Sequence, residues 1–166
     1  MLYLTPAQQQ EIRHHAEQTY NEECCGILLG EHHWQGDQLH KYVRQIIPVT
    51  NQWQAEIATE LNELAASDPK SLTKSQRYWI APQDLLMAQR QARDLGLVII
   101  GIYHSHPDYP AVPSERDRAC AWSGYSYVIV AVEQGTAQEL RSWTLDKQHQ
   151  FQPEAIVSGI QSLPQS

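Results

Sequence analysis

Cysteine is scarce in this chain: Cys24 and Cys25 are adjacent, Cys120 is distant, and no C-x-x-C spacing occurs. An odd count in that arrangement excludes a disulfide scaffold and a cysteine-rich zinc site. Long apolar runs are missing too. The longest, Leu97 to Tyr103, falls far short of the roughly eighteen consecutive apolar residues that a bilayer span requires. The opening residues, MLYLTPAQQQEIRHH, lack a basic stretch followed by an apolar stretch and a small-residue cleavage site, so no export signal is read and a cytoplasmic location is expected. There is no basic cluster to offset a net charge of -7, hence no electrostatic footprint for a phosphate backbone. Neither nucleic acid nor a membrane is an expected partner, and the oligomeric state is not legible. The chain also has no H-E-x-x-H, no P-C-x-x-C accompanying an H-x-E, and no G-x-S-x-G, which removes zincins, zinc deaminases and serine hydrolases of the nucleophile-elbow type.

What is present fits one domain with one core: 166 residues, 42% hydrophobic and 19% charged, without repeats, low-complexity segments or a linker. Thr5-Pro6 reads as an N-cap and first helical position, with Ile12, Ala16 and Tyr20 at helical spacing. Cys24 to Gly30 and Tyr42 to Val49 read as the first strands, the second with Pro48 at an edge or strand end. Residues 51–76 are mostly polar and read as an insertion with a short helix, since Ile57, Leu61, Leu64 and Ala65 share one helical face. A second helix opens at Pro82, carries Leu85, Leu86, Ala88, Ala92 and Leu95 as its apolar stripe, and stops at Gly96. Leu97 to Tyr103 is apolar enough to be a strand buried on both faces. Ser114 to Ser123 reads as helical, Ser126–Glu133 and Glu139–Asp146 as strands paired around Gln134-Gly135, and Pro153 as the start of a last helix. The fold class is mixed α/β.

The buried strand runs into the chemistry. His104 and His106 are one residue apart at its end, and the two-residue period of an extended chain sends both imidazoles to the same side. Asp117 follows after ten residues containing Pro107, Pro110 and Pro113, which lower the entropy lost in ordering the return loop. Two nitrogens, one carboxylate and a water make up a hydrolytic zinc site. The same residues have a purely structural reading: paired histidines at a strand end, and Ser114-x-x-Asp117 as a capping box. The joint pattern separates the two. At this composition H-x-H-x10-D arises by chance roughly 0.016 times, and about 0.001 times with Ser required three before the Asp. His14, His15, His32, His33, His40 and His149 sit in polar contexts, where exposure is expected and no role is assigned.

His104-Ser-His-Pro107, Pro113-Ser114, Asp117 and the segment AWSGYSYVIVAV resemble the JAMM (MPN-plus) zinc metalloprotease family in its short, stand-alone prokaryotic form. Upstream, Glu23-Cys-Cys-Gly-Ile-Leu-Leu-Gly30 resembles the segment that carries the family's catalytic glutamate; composition alone leaves Glu22 and Glu23 open, and the resemblance selects Glu23. The likeness covers roughly Pro6 to Leu145 and departs mainly at 51–76. It implies a JAMM/MPN fold resembling that of cytidine deaminases, a curved mixed sheet flanked by helices with a zinc site at a strand end. It further implies one zinc on His104, His106 and Asp117, Glu23 as the base that takes the proton from water, and Ser114 as oxyanion donor. The implied substrate is the C-terminal tail of a ubiquitin-like sulfur-carrier protein, with 51–76 or Arg77-Tyr-Trp79 as a wall of its groove. Two other classes share these residues: a small-molecule amide hydrolase, and a non-catalytic binding module of the same fold.

Overall fold

The computed structural model describes residues 1–54, 56–57 and 73–159. Its elements run β1 (Leu2–Tyr3), α1 (Pro6–Thr19), β2 (Cys25–Gln35), β3 (Gln38–Val49), α2 (Pro82–Asp94), β4 (Val98–Pro107), α3 (Glu115–Cys120), β5 (Ser126–Glu133), β6 (Thr136–Leu145), β7 (Phe151–Glu154) and β8 (Ile156–Val157). All eight strands belong to one sheet in the order β7-β6-β5-β4-β2-β3-β1-β8. The mixed α/β reading holds, with antiparallel pairs throughout except β4 with β5 and β1 with its two neighbours.

The sheet is nearly closed. Its two outermost strands, β7 and β8, are separated in the chain by Ala155 alone, so the edges must meet. A buried polar cluster ties that seam: Lys41 Nζ of β3 lies 3.4 Å from Glu154 Oε1 of β7 and donates to Ser126 Oγ of β5 at 3.0 Å. Ser142 Oγ donates to Glu154 at 2.8 Å, and the N-terminal ammonium lies 3.6 Å from it.

Apolar side chains pack on both faces. On one, Ile12 and Ala16 of α1 meet Leu28, Val43, Ile100, Tyr103, Val128 and Val130. On the other, Ala88 and Ala92 of α2 meet Ile27, Leu29, Ile99, Ile102, Tyr127 and Ile129. The strict alternation of Tyr127 to Val132 between the two explains why β5 is apolar throughout that stretch. The turn into β6 places Gln134 at φ 48° and Gly135 at φ 82°, two successive left-handed residues that suit a tight hairpin.

Helix α1 begins as expected, with a complete capping box between Thr5 and Gln8 and Pro6 behind it. Helix α2 ends at Asp94 with Gly96, φ 69°, just beyond its cap, but Leu86 and Leu95 of its anticipated stripe are 47% and 55% exposed. Only the small Ala88 and Ala92 are fully covered, which lets α2 lie close to the sheet. The helix after Ser114 is shorter than expected, ending at Cys120 where the chain becomes extended at Ala121. Pro153 does not start a helix: it pairs with Trp143 inside β7, an edge strand, where a missing N–H is tolerated. His40 is buried in β3 with Nδ1 at 2.9 Å from the Tyr3 hydroxyl, and His15 is partly covered with Nδ1 at 2.8 Å from Tyr103, so neither is the exposed residue expected. Of the anticipated helix within 51–76, Leu61, Leu64 and Ala65 lie outside the described residues. Among the described residues, no helix is long and apolar enough to cross a membrane.

Removing one partner of a buried ion pair leaves an uncompensated charge and typically costs about 3–5 kcal/mol. Lys41→Met should lower the stability measured by denaturant unfolding by about that amount, and adding Glu154→Leu should restore much of it. An unchanged midpoint in Lys41→Met would show that the seam does not depend on this pair.

Candidate metal centre

The histidines owe their direction to an irregularity in β4. Leu28 pairs with Gly101 and Leu29 with Ile99, leaving Ile100 as an extra residue, a β-bulge. Ile99 and Ile102 consequently share one face while Ile100 and Tyr103 share the other. Gly101 is required there, since a Cβ would stand 2.3 Å from the Ser126 carbonyl oxygen of β5. Beyond the bulge, alternation carries His104 and His106 to the face of Ile102, and both are buried.

Asp117 is the third residue of α3. Ser114 caps the helix, its hydroxyl accepting from the Asp117 amide at 3.1 Å and donating to Asp117 Oδ2 at 2.7 Å, while the Ser114 amide donates to the same oxygen at 2.7 Å. The capping box therefore aims the carboxylate at the strand end. His104 Nε2 lies 3.0 Å from His106 Nε2 and 3.4 Å from Asp117 Oδ1, and His106 Nε2 lies 3.8 Å from Asp117 Oδ2.

One ligand atom from each of the three lies within 4.8 Å of the others. Tetrahedral zinc with ligand bonds near 2.0–2.1 Å spaces its donors about 3.3 Å apart, so the residues fit such an ion. His106 Nδ1 faces the Pro110 carbonyl at 2.7 Å, which fixes the proton on Nδ1 and leaves the Nε2 lone pair for a metal. Tyr78 stacks on His104 with ring centroids 4.5 Å apart. Burial alone would raise the Asp117 carboxyl, yet the neighbouring His104 and His106 and the hydrogen bonds from Ser114 hold it well below the carboxylate range.

Glu23 lies just before β2, is buried, and lines a cavity of about 410 Å³ together with His106, Ser114 and Asp117. Glu22 is exposed and lines a separate depression on the other side of the chain. Burial pushes the Glu23 carboxyl up from 4.5 to about 8, with His106, Arg116 and Arg77 opposing and Asp117 adding to the rise.

Two residues to which the sequence analysis assigned no role hold this arrangement. Ser105, between the histidines and facing away from them, accepts the Cys24 amide proton at 2.8 Å, and its own amide donates to the Cys24 carbonyl at 3.2 Å. Asn51, also buried, donates from Nδ2 to the carbonyls of Glu23 and Arg77, both at 2.9 Å, while its Oδ1 accepts from the amides of Trp53 and Trp79. The only signal for Ser105 was its place between two ligand-like residues; Asn51 had none. A second cavity of about 290 Å³, mostly apolar, lies behind Asp117 and is walled by Tyr78, Trp79 and Trp122.

The sequence profile described as prokaryotic homologs of the JAB domain matches residues 5–146. A desampylase of Haloferax volcanii is 30% identical over 127 residues, covering 75% of this chain and 72% of that protein. A probable TtuB-protein conjugate cleaving protease of Thermus thermophilus is 29% identical over 133 residues, covering 80% and 72%. Among solved structures, a protein of Desulfitobacterium hafniense superposes with a TM-score of 0.71 at 28% identity, covering 95% of this chain and 92% of that one. A protein of Salinibacter ruber gives 0.67 at 31% identity, covering 99% and 95%.

The raised Glu23 carboxyl links stability to pH. With a folded value of about 8 above an ordinary 4.5, the group's contribution is complete below the lower value and is lost as pH rises through the higher one. In the metal-free protein, Glu23→Gln should match wild type at pH 4.5 and become progressively more stable than it towards pH 8. Thermal melts in chelator at both pH values test this, and a constant difference would contradict it.

Proposed function

This chain belongs to the prokaryotic homologs of the JAB domain, the prokaryotic branch of the JAMM family, and on that premise we propose that it is a zinc-dependent peptidase or isopeptidase that hydrolyses an amide bond at the C-terminal tail of a ubiquitin-like sulfur-carrier protein. The observation that carries the reading is the convergence of three buried ligand atoms within 4.8 Å beside a cavity that also holds the buried carboxylate of Glu23. The relatives' names support a conjugate as substrate, one of them being called a protein-conjugate cleaving protease.

His104, His106 and Asp117 would hold the metal, each offering one ligand atom. Zinc in such a site acidifies water and polarises the scissile carbonyl. Glu23 takes the proton from the attacking water and later delivers it to the leaving amine, and burial raises its affinity for protons. Ser114 donates to the developing oxyanion by turning its hydroxyl from Asp117 towards the substrate. An extended tail fits along the cavity past His106, with Arg77 and Tyr109 on its walls.

Incubation of the zinc-loaded protein with a ubiquitin-like carrier bearing a C-terminal extension, read by intact mass, should show loss of the extension. Glu23→Gln should retain about one zinc per chain and lose nearly all turnover, Glu22→Gln should stay active, and His106→Ala should lose the metal. An intact extension with zinc-loaded wild type, or equal zinc in wild type and His106→Ala, would sink the reading.

Ser114 separates capping from catalysis. Ser114→Ala should cost roughly 0.5–2 kcal/mol through the lost cap. It should also lower kcat by about 10²-fold or more with little change in KM. Ser114→Asp should regain most of the stability and remain nearly inactive, because a second carboxylate would stand where the oxyanion forms. Initial rates and melts at matched zinc content decide, and wild-type turnover in Ser114→Ala would reduce the residue to a cap.

A further inference from the structure

We propose that Arg77 is a specificity-determining residue whose guanidinium binds a carboxylate on the leaving-amine side of the scissile bond. This inference rests on the hydrolase reading above and goes beyond it by naming the chemistry of the leaving group.

Arg77 lines the same cavity as Glu23, His106 and Asp117. Among the described residues its buried Nε has no hydrogen-bond partner, and Nη1 donates to the adjacent Gln76 carbonyl at 2.6 Å. Among the described residues Arg77 forms no ion pair, although Glu23 is near enough for its carboxyl to be influenced by the guanidinium. A half-buried arginine that lines an active-site cavity and keeps a buried Nε without an acceptor is matched by an anion that arrives with the ligand.

Arg116, on the same cavity, is differently employed. Its Nη1 donates to the Tyr78 carbonyl at 3.2 Å and its guanidinium lies 4.6 Å from the Trp53 ring centre. That side chain binds one segment of the protein to another.

The position of Arg77 relative to the reaction is set by Asn51, whose single Nδ2 holds the backbones of Glu23 and Arg77 together. Glu23 is the group that hands a proton to the leaving nitrogen, and the Arg77 guanidinium is close enough to act on its carboxyl, which assigns Arg77 to the leaving side. In an α-linked amino acid the carboxylate is two bonds from that nitrogen. In an ε-linked lysine the nearest carboxyl is six bonds away and is tied up in the next peptide bond. Arg77 therefore favours a leaving amino acid that carries a carboxylate, either its free terminal group or an acidic side chain. The chain's net charge of -7 provides no general attraction for such an anion, so the preference depends on this local site.

The test compares three acylated peptides: Gly-Gly-Ala as the free acid, Gly-Gly-Ala amide, and Gly-Gly-Glu amide. Binding is measured by calorimetry to zinc-loaded Glu23→Gln, where turnover is suppressed, with and without Arg77→Gln. The free acid should bind at least about tenfold more tightly than its amide, as for a hydrogen bond to a charged group. Adding Arg77→Gln should bring the two within about twofold, and Arg77→Lys should keep part of the preference. If the Glu amide binds like the free acid, the side-chain carboxylate is accepted; if it binds like the neutral amide, the terminal carboxylate is required, and either result supports the assignment. Equal binding of acid and amide with Arg77 present, no binding of either, or a preference that survives Arg77→Gln overturns it. Hydrolysis by zinc-loaded wild type is scored separately, because failure to cleave any of the three counts against the hydrolase reading whereas the binding comparison judges Arg77. Matching melts of the Arg77 variants and their parent establish that all are folded.

Discussion

The register of β2 against β4 is the constraint on which the site depends, and it is locked by one reciprocal pair of contacts. The Cys24 amide donates to the Ser105 hydroxyl and the Ser105 amide donates to the Cys24 carbonyl. Glu23 is one residue from the first partner, and His104 and His106 flank the second. A one-residue slip would turn both imidazoles to the opposite face and carry Glu23 along the strand direction by about 3.3 Å. Everything else in the centre is hung from this pairing: α3 brings Asp117 to the strand end, and Asn51 ties the 77–79 segment to the carbonyl of Glu23.

Such a centre is costly in the folded protein. Glu23, His104, His106 and Asp117 are all buried within a few ångströms of one another, and a carboxylate removed from water resists ionisation. The surrounding fold offsets this through apolar packing on both faces of a nearly closed sheet and through a satisfied polar seam at Lys41 and Glu154. Burial of ionisable groups concentrated at one place, with ordinary packing elsewhere, is what separates a functional site from the rest of a stable domain.

Local signals were enough for much of the chain. The cap at Thr5-Pro6, the stop at Gly96, the hairpin at Gln134-Gly135 and the doubly buried strand before His104 each rest on a few adjacent residues, and the structure contains all four. The failures share a different character. Pro153 is equally at home at a helix start and on an edge strand, and only the partner strand β6 decides between them. Leu86 and Leu95 fit a helical stripe, but close approach of α2 to the sheet admits Ala88 and Ala92 and leaves the larger residues outside. His40 is buried because β3 runs longer than its apolar segment and meets Tyr3.

The sequence by itself determined the candidate donor set and its close spacing. Two histidines with an extended-chain period and an aspartate at the third position of a capped helix are local facts, because strand alternation and helix capping act over a few residues. It also determined the family, through those same residues and the segment around Glu23. Tertiary structure decided which face the histidines present, since the extra residue Ile100 inverts the alternation where β4 pairs with β2, beside a Gly101 packed against the Ser126 carbonyl of another strand. It likewise decided that Glu23 rather than Glu22 enters the cavity, and that Arg77 ends there with an unmatched donor. Those outcomes depend on contacts between segments tens of residues apart, and no periodicity within a segment encodes them.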